Sequence, residues 1–284
     1  MYDITVLADS INQNKSRINE VLHIGYANWD SLLNRIEAQE ESSHEDFADE
    51  QVWTFLVVCI YAIQGMDGIN ALAQALIKTK LPSPTKAWFE VLPLPLRLRE
   101  GSTHLDLAFG TISQRSGTQS GIKLERNENS WICFVECKWY SDIAGYVSHD
   151  RQRNQLARVI ENALYFNRGD WFPKTVHVTL ITPEVFESSP TNSRFYQYKY
   201  AEYRNVESGA KHLVRDLATS CLPFRRPFPD INERLSSLHL NWVSYETLFR
   251  QAPKSPLKQP FLDFANKFNG TRRTLLSQNK LDGQ

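Results

Sequence analysis

The chain is poor in glycine and proline, 12 and 13 among 284 residues, and carries no net charge, with 32 Lys and Arg against 32 Asp and Glu. Beside so few chain breakers, 42% hydrophobic and 12% aromatic residues supply enough apolar surface to offset the entropy of ordering the chain. Intrinsic disorder and low complexity are thereby excluded for its bulk. No apolar run approaches the roughly 20 residues of a membrane helix; the longest, Val52 to Ile63, is too short and has Trp53, Thr54 and Gln64 at its margins. The opening MYDITVLADSINQNKS has no basic stretch followed by an apolar one, so no secretory signal is read and a cytoplasmic protein without membrane contact is expected. Cysteine is scarce as well: Cys59, Cys133, Cys137 and Cys221 lie in apolar contexts, without a CxxC pair or a His at zinc-ligand spacing, which predicts buried reduced thiols. A GxxxxGK[ST] loop and a GxGxxG are absent, His44-Glu45 lacks the second His of HExxH, and no repeat is apparent.

Zero net charge conceals an uneven distribution. Glu37, Glu40, Glu41, Glu45, Asp46, Asp49 and Glu50 form an acidic run without one Lys or Arg, while basic residues gather at 151–158, 194–226 and 254–273. A basic face is therefore compatible with neutrality. Residues 15–38 have helical apolar spacing with a break near Gly25, a second helix follows the acidic run, and a third spans Gly68 to Lys80 before Pro82 and Pro84.

From Lys86 onward the pattern changes to short β-rich runs, AWFEVLPLPLRLRE, THLDLAFGTI and SWICFVECKWY, which predict three strands. Pro93 and Pro95 push the first towards a sheet edge or a bulge. The polar segment 113–130 reads as a long exposed loop. An amphipathic helix with Leu156, Val159, Ile160, Ala163 and Leu164 on one stripe stops at Gly169, and KTVHVTLITPEVF predicts a fourth strand. Beyond 190 come a helix near 207–219, helices around 231–250 and 259–268, and an aromatic run, Phe195, Tyr196, Tyr198, Tyr200 and Tyr203, whose expected use is packing against the core, with base stacking as the other option.

Glu136-Cys137-Lys138 ends an otherwise apolar strand. The two-residue period puts Phe134, Glu136 and Lys138 on one face and Cys133, Val135, Cys137 and Trp139 on the other. Two charged residues on one face of a central strand demand partners. If 104–112 pairs with 131–139, Asp106 converges on Glu136, and two carboxylates so close raise one another's pKa unless a divalent cation lies between them. An oxygen-only ligand set favours Mg²⁺ or Mn²⁺ over Zn²⁺. A Cys137 thiol nucleophile is disfavoured by its opposite face, and His104, His149 and His177 read as surface or packing residues.

This arrangement, an acid ending one strand, then Glu-x-Lys on its hairpin partner and an amphipathic helix after it, resembles the PD-(D/E)XK nuclease superfamily over roughly residues 45–183. Leu105 stands where the motif name has proline, and thirty positions separate Asp106 from Glu136, a long interval. The resemblance implies an α/β protein with a restriction-endonuclease-like αβββαβ core at 85–190, N-terminal helices at 1–84 packed on it, and a mainly helical extension at 191–284 for DNA or a partner. It further implies Mg²⁺-dependent DNA cleavage in bacterial defence, mobile elements or repair, with Asp106, Glu136 and the Cys137 backbone carbonyl on the metal, Lys138 at the attacking water and Gln155 facing the site. A further helix acid is expected on the metal; Glu50 leads, with Glu45 and Glu90 competing and a helix-dipole role for Glu50 open. DNA contacts are expected from Arg151, Arg153, Arg158, Lys123 and Arg126, with Arg115 on the same loop as Lys123 and Arg126, and a homodimer or a specificity subunit is compatible with cutting both strands. The alternative is an inactive member of the same fold that binds nucleic acid or a partner; a structural Glu136/Lys138 pair is the third.

Overall fold

Near-continuous apolar runs, buried on both faces, build a six-stranded mixed sheet, and helices cover both of its faces. The computed structural model describes residues 5–38, 49–101, 103–144, 153–188, 194–205, 208–220 and 222–268. In chain order the elements are α1 (Thr5–Gln13), α2 (Lys15–Val21), β1 (Leu22–Ile24), α3 (Trp29–Glu37), α4 (Glu50–Ala62), α5 (Gly65–Ile77), β2 (Ala87–Val91), β3 (Leu105–Gly110), β4 (Ile112–Gln114), β5 (Ile122–Leu124) and β6 (Trp131–Cys137). There follow α6 (Gln155–Leu164), β7 (Thr175–Thr182), α7 (Glu184–Ser188), α8 (Phe195–Arg204), α9 (Gly209–Ala218), α10 (Ile231–Leu235), β8 (Leu238–Ser244), α11 (Tyr245–Gln251) and α12 (Lys258–Phe268). The protein is thus α/β. Among the described residues no helix is long and apolar enough to cross a membrane.

The sheet order is β1-β2-β3-β6-β7-β8. β2, β3 and β6 run antiparallel in succession, whereas β1 pairs with β2, and β6, β7 and β8 pair with one another, in parallel. The order α4, β2, β3, β6, α6, β7 therefore lies within the sheet and its flanking layers. One core unites the N-terminal helices and α11–α12 with Phe89, Leu107, Cys133, Val135 and Cys137; the other unites α6, α8 and α9 with Ile132, Phe134, Val176 and Val178. This division is the alternation expected for residues 131–139. Cys59, Cys133 and Cys137 are buried free thiols, while Cys221 lies outside the described residues.

Several expectations need correction. The 113–130 segment is not a plain exposed loop: Ile112, Ile122 and Leu124 are buried on the small β4–β5 sheet, because one apolar residue at every second position suffices to seat a short hairpin on the core. β2 is not an edge strand, since Pro93 and Pro95 fall beyond its end and β1 covers its outer side. Gly25 is no simple helix break. Its N–H donates to the Phe89 carbonyl at 2.8 Å, and a Cβ there would collide with the Glu90 carbonyl, so glycine permits the close approach of two backbones. Within 231–250, LHLNWVS makes β8, the sixth strand of the sheet, in place of the helix that the sequence predicts there. The aromatic run forms α8, with Tyr196, Tyr200 and Tyr203 buried in the second core and Tyr198 exposed.

Candidate functional site

The hydrogen-bonding register of β3 with β6, Leu107 opposite Val135 and Ala108 opposite Phe134, carries Asp106 to Glu136 at the strand ends. Asp106 Oδ2 accepts the Cys137 N–H at 2.6 Å. Glu136 is 2% exposed and Lys138 7%, so both charges are taken from water and each needs compensation. They supply part of it to each other: Lys138 Nζ stands 3.0 Å from Glu136 Oε1.

Two helix N-termini complete the site. Asp49 caps α4 by accepting the Val52 N–H and is itself held by Arg35, which leaves the next residue, Glu50, to reach across to β6. Glu50 Oε1 lies 3.0 Å from Lys138 Nζ, and its Oε2 accepts the Trp139 N–H at 3.0 Å and the Ser141 hydroxyl at 2.6 Å. From the other layer, Asn154 caps α6 through the Ala157 N–H, and Gln155, the first residue of that helix, donates from Nε2 to Glu136 Oε1 while accepting the Ala144 N–H at 3.2 Å. Glu90 is buried on β2 between Phe89 and Val91, which pair with Leu107 and Leu105 on either side of Asp106, and its charge acts on Glu136 and Glu50; its φ of 52° lies in the left-handed region. Asp106, Glu136, Lys138, Gln155, Glu50 and Glu90 are thus brought together. Glu45 lies outside the described residues.

The charges are unbalanced. Burial pushes the Asp106 carboxyl well above the usual carboxylate range, and Glu136 and Glu90 add to that, opposed by Lys138 and the Cys137 N–H. Burial raises Glu136 as well, opposed chiefly by Lys138. Glu90 is raised by burial and by Glu136 and Glu50, against a hydrogen bond from Gln51. For Lys138 burial pulls downward, but Glu136, Asp106 and Glu50 outweigh it, and the amine is held protonated well above its ordinary range. Three carboxylates around one ammonium, with Glu90 acting on them, form an oxygen-only donor set short of positive charge, the chemistry that suits a hard divalent cation. Among the described residues no three His, Cys, Asp or Glu side chains stand as a ready-made metal cluster; Lys138 Nζ occupies the space between Glu50 and Glu136, and Gln155 takes the same Glu136 oxygen. The Cys137 thiol is buried on the opposite face and raised by that burial, which leaves it no nucleophilic role.

The basic helix face is a different matter. Arg153 is fully buried and pairs with Glu100 and Glu161, and Arg158 shares Glu100 at 3.2 Å with 14% of its side chain exposed. Arg153 cannot contact DNA, and Arg158 is turned towards the same network: buried guanidinium groups require carboxylate partners, and the sequence alone does not show that Glu100 and Glu161 meet them. The signal was present in Glu161, which lies on the same helix as Arg158. Arg151 and His149 lie outside the described residues. Lys123 is partly exposed on β5 and Arg126 exposed beyond it. His104 packs edge-on against Tyr26, and buried His177 stacks on His239 at 4.9 Å, as packing histidines do. Compared with protein-family models, curated proteins and solved structures, the chain shows no significant match.

Proposed function

We propose that this chain is a divalent-metal-dependent DNA endonuclease with a restriction-endonuclease-like αβββαβ core. One observation carries the reading: Glu50, Asp106, Glu136, Lys138 and Gln155, drawn from α4, β3, the end of β6 and α6, converge on one site rich in buried carboxylate. Asp106 and Glu136 would hold Mg²⁺ or Mn²⁺ with the Cys137 carbonyl, and Glu50 or Glu90 stands beside them. When bound, the ion lowers the pKa of its water and offsets charge on the phosphate oxygens.

The chain's own groups do the rest. Gln155 fixes the Glu136 carboxylate, and Glu50 fixes Lys138 while its second oxygen is tied to Trp139 and Ser141. Lys138, held protonated, serves as an electrostatic and orienting group for water and phosphate rather than as a base. The water oxygen forms a new bond to phosphorus as the bond to the leaving sugar oxygen breaks; the water's proton passes to solvent and the leaving oxygen takes one up.

The test is cleavage of supercoiled plasmid and single-stranded DNA in Mg²⁺, Mn²⁺ or EDTA by the wild type, Asp106→Ala and Lys138→Ala, at matched folding. Metal-dependent cutting lost in both variants is the expected result. A wild type that binds DNA and never cuts it would instead establish the inactive, binding-only reading, which the internal ion pairing of Lys138 favours.

A further inference from the structure

A cavity of about 520 Å³ opens between the loop after β2, the β4–β5 hairpin, the C-terminal end of α6 and the 222–229 segment. Five cationic side chains line it, Arg115, Lys123, Arg168, Arg225 and Arg226, and among the described residues no carboxylate does. On a chain of zero net charge such a one-sided lining marks a site for an anion. Tyr165, Phe166 and Phe228 give the cavity an aromatic side, with Phe228 packed on Tyr165 at 4.9 Å between ring centroids and the two rings tilted by 42°.

Among the described residues, two buried polar atoms in this lining have no hydrogen-bond partner. Asn162, 1% exposed, uses its Nδ2 on the Arg158 carbonyl at 2.9 Å, but its Oδ1 accepts nothing, and Arg115 Nη1 is likewise buried without an acceptor. Buried polar groups are rarely left so, because each lost hydrogen bond costs desolvation energy. The cavity therefore calls for a ligand that is anionic at several points, planar and apolar on its faces, and equipped with an N–H donor at its edge. A nucleotide has all three features.

Asn162 lies seven residues along α6 from Gln155, about 10 Å at the rise of an α-helix, which is about three stacked nucleotides of one strand. We propose that this cavity takes up an unpaired nucleotide of the DNA strand engaged at Glu136 and Lys138, its base against the Tyr165, Phe166 and Phe228 wall with an edge N–H on Asn162 Oδ1, its phosphates on the arginines and Lys123. The proposal rests on the nuclease reading for its substrate. A duplex is too wide to enter, so the preferred DNA has a single-stranded tail or an opened pair next to the scissile bond.

The probe is a fluorescein-labelled duplex with a short single-stranded tail, compared by anisotropy in EDTA with the blunt duplex and with a tail carrying abasic sites. Lys123 and Arg168 make no side-chain hydrogen bond or ion pair among the described residues, so Lys123→Glu with Arg168→Glu is expected to keep the fold, checked by an unchanged melting temperature. The wild type is expected to bind the tailed duplex about tenfold tighter than either control, the scale of one base stacked on an aromatic wall. The double variant is expected to lose that advantage, and Asn162→Leu to reduce it. Equal binding of tailed and abasic DNA, or wild-type preference in the double variant, would overturn the proposal. Cleavage is not read in this assay: a chain that prefers tailed DNA but never cuts sinks the nuclease reading alone, and one that cuts plasmid yet ignores the tail sinks the cavity alone.

Discussion

Glu50 and Lys138 are 88 positions apart in the chain and 3.0 Å apart in space. The contact joins the first turn of α4 to the end of β6, and it explains how two buried strand-end charges are tolerated. Lys138 is the shared counter-ion of Glu136 and Glu50, and among the described residues Asp106 is compensated by that lysine and the Cys137 N–H. A site so arranged is held together without a metal yet has carboxylate in excess for one.

Removing the ammonium should expose that excess. In Lys138→Met the buried Glu136 loses its cation, a change expected to cost about 3–5 kcal/mol in EDTA. Added Mg²⁺ should then raise the melting temperature more in the variant than in the wild type, because it replaces a lost charge. Thermal denaturation with and without Mg²⁺ checks this; a variant as stable as the wild type in EDTA would show that Glu136 is not ionised there.

Much of this site was legible in the residues. The period-two alternation around Phe134 and Glu136 gave the face, and an Asp on the neighbouring strand gave the convergence, because an antiparallel register fixes which residues meet. Glu50 was harder: an acid in the first turn of a helix has a sufficient local explanation in the dipole, and only the cap at Asp49 frees it for another partner. At Arg153 the sequence shows a basic cluster but not that Glu100 and Glu161 reach it from elsewhere in the fold. β1, three residues long, depends on the sheet edge already being there rather than on its own propensity, and β8, at seven residues, carries His239 and Asn241 among its apolar residues, which blurs its pattern.

Arg153 gives the second prediction. Its guanidinium is fully buried against Glu100 and Glu161, so Arg153→Ala leaves two carboxylates without it and should cost about 3–5 kcal/mol. Arg153→Lys should recover only part, since a point charge cannot span both acids as a guanidinium does. Chemical denaturation measures the loss. DNA affinity at matched folding should be unchanged; a weakened salt dependence of binding would return Arg153 to the DNA face.

The third concerns pH. Glu246 is 3% exposed, and burial raises its carboxyl from 4.5 to about 7 although the Glu184 N–H donates to it at 2.8 Å. The folded state therefore holds this proton more tightly than the unfolded chain. Its contribution to stability is complete below about pH 4.5 and is lost as pH rises through about 7, a difference of about 3 kcal/mol. Glu246→Gln keeps an acceptor for Glu184 and removes the titration. Denaturant midpoints should fall from pH 5 to 8 more in the wild type than in the variant, with the variant the more stable at pH 8; parallel curves would show that Glu246 does not titrate in this range.

Gly68 supplies a prediction of sign. It lies inside α5, where replacing glycine by alanine ordinarily gains about 1 kcal/mol through helix propensity. Here a Cβ would run into the Tyr61 carbonyl oxygen of α4, backbone that cannot swing aside as a side chain does. Tyr61 is itself tied down, its hydroxyl donating to the Leu248 carbonyl at 2.6 Å. Gly68→Ala should therefore destabilise, by about 1–3 kcal/mol as overpacked cores do. Because α4 carries Glu50 at its other end, any relief by sliding that helix moves Glu50 from Lys138, so metal-dependent cleavage should fall together with the denaturation midpoint. A variant more stable than the wild type would mean that α4 and α5 separate freely, and that the position of Glu50 is set by its contacts with Lys138, Trp139 and Ser141 alone.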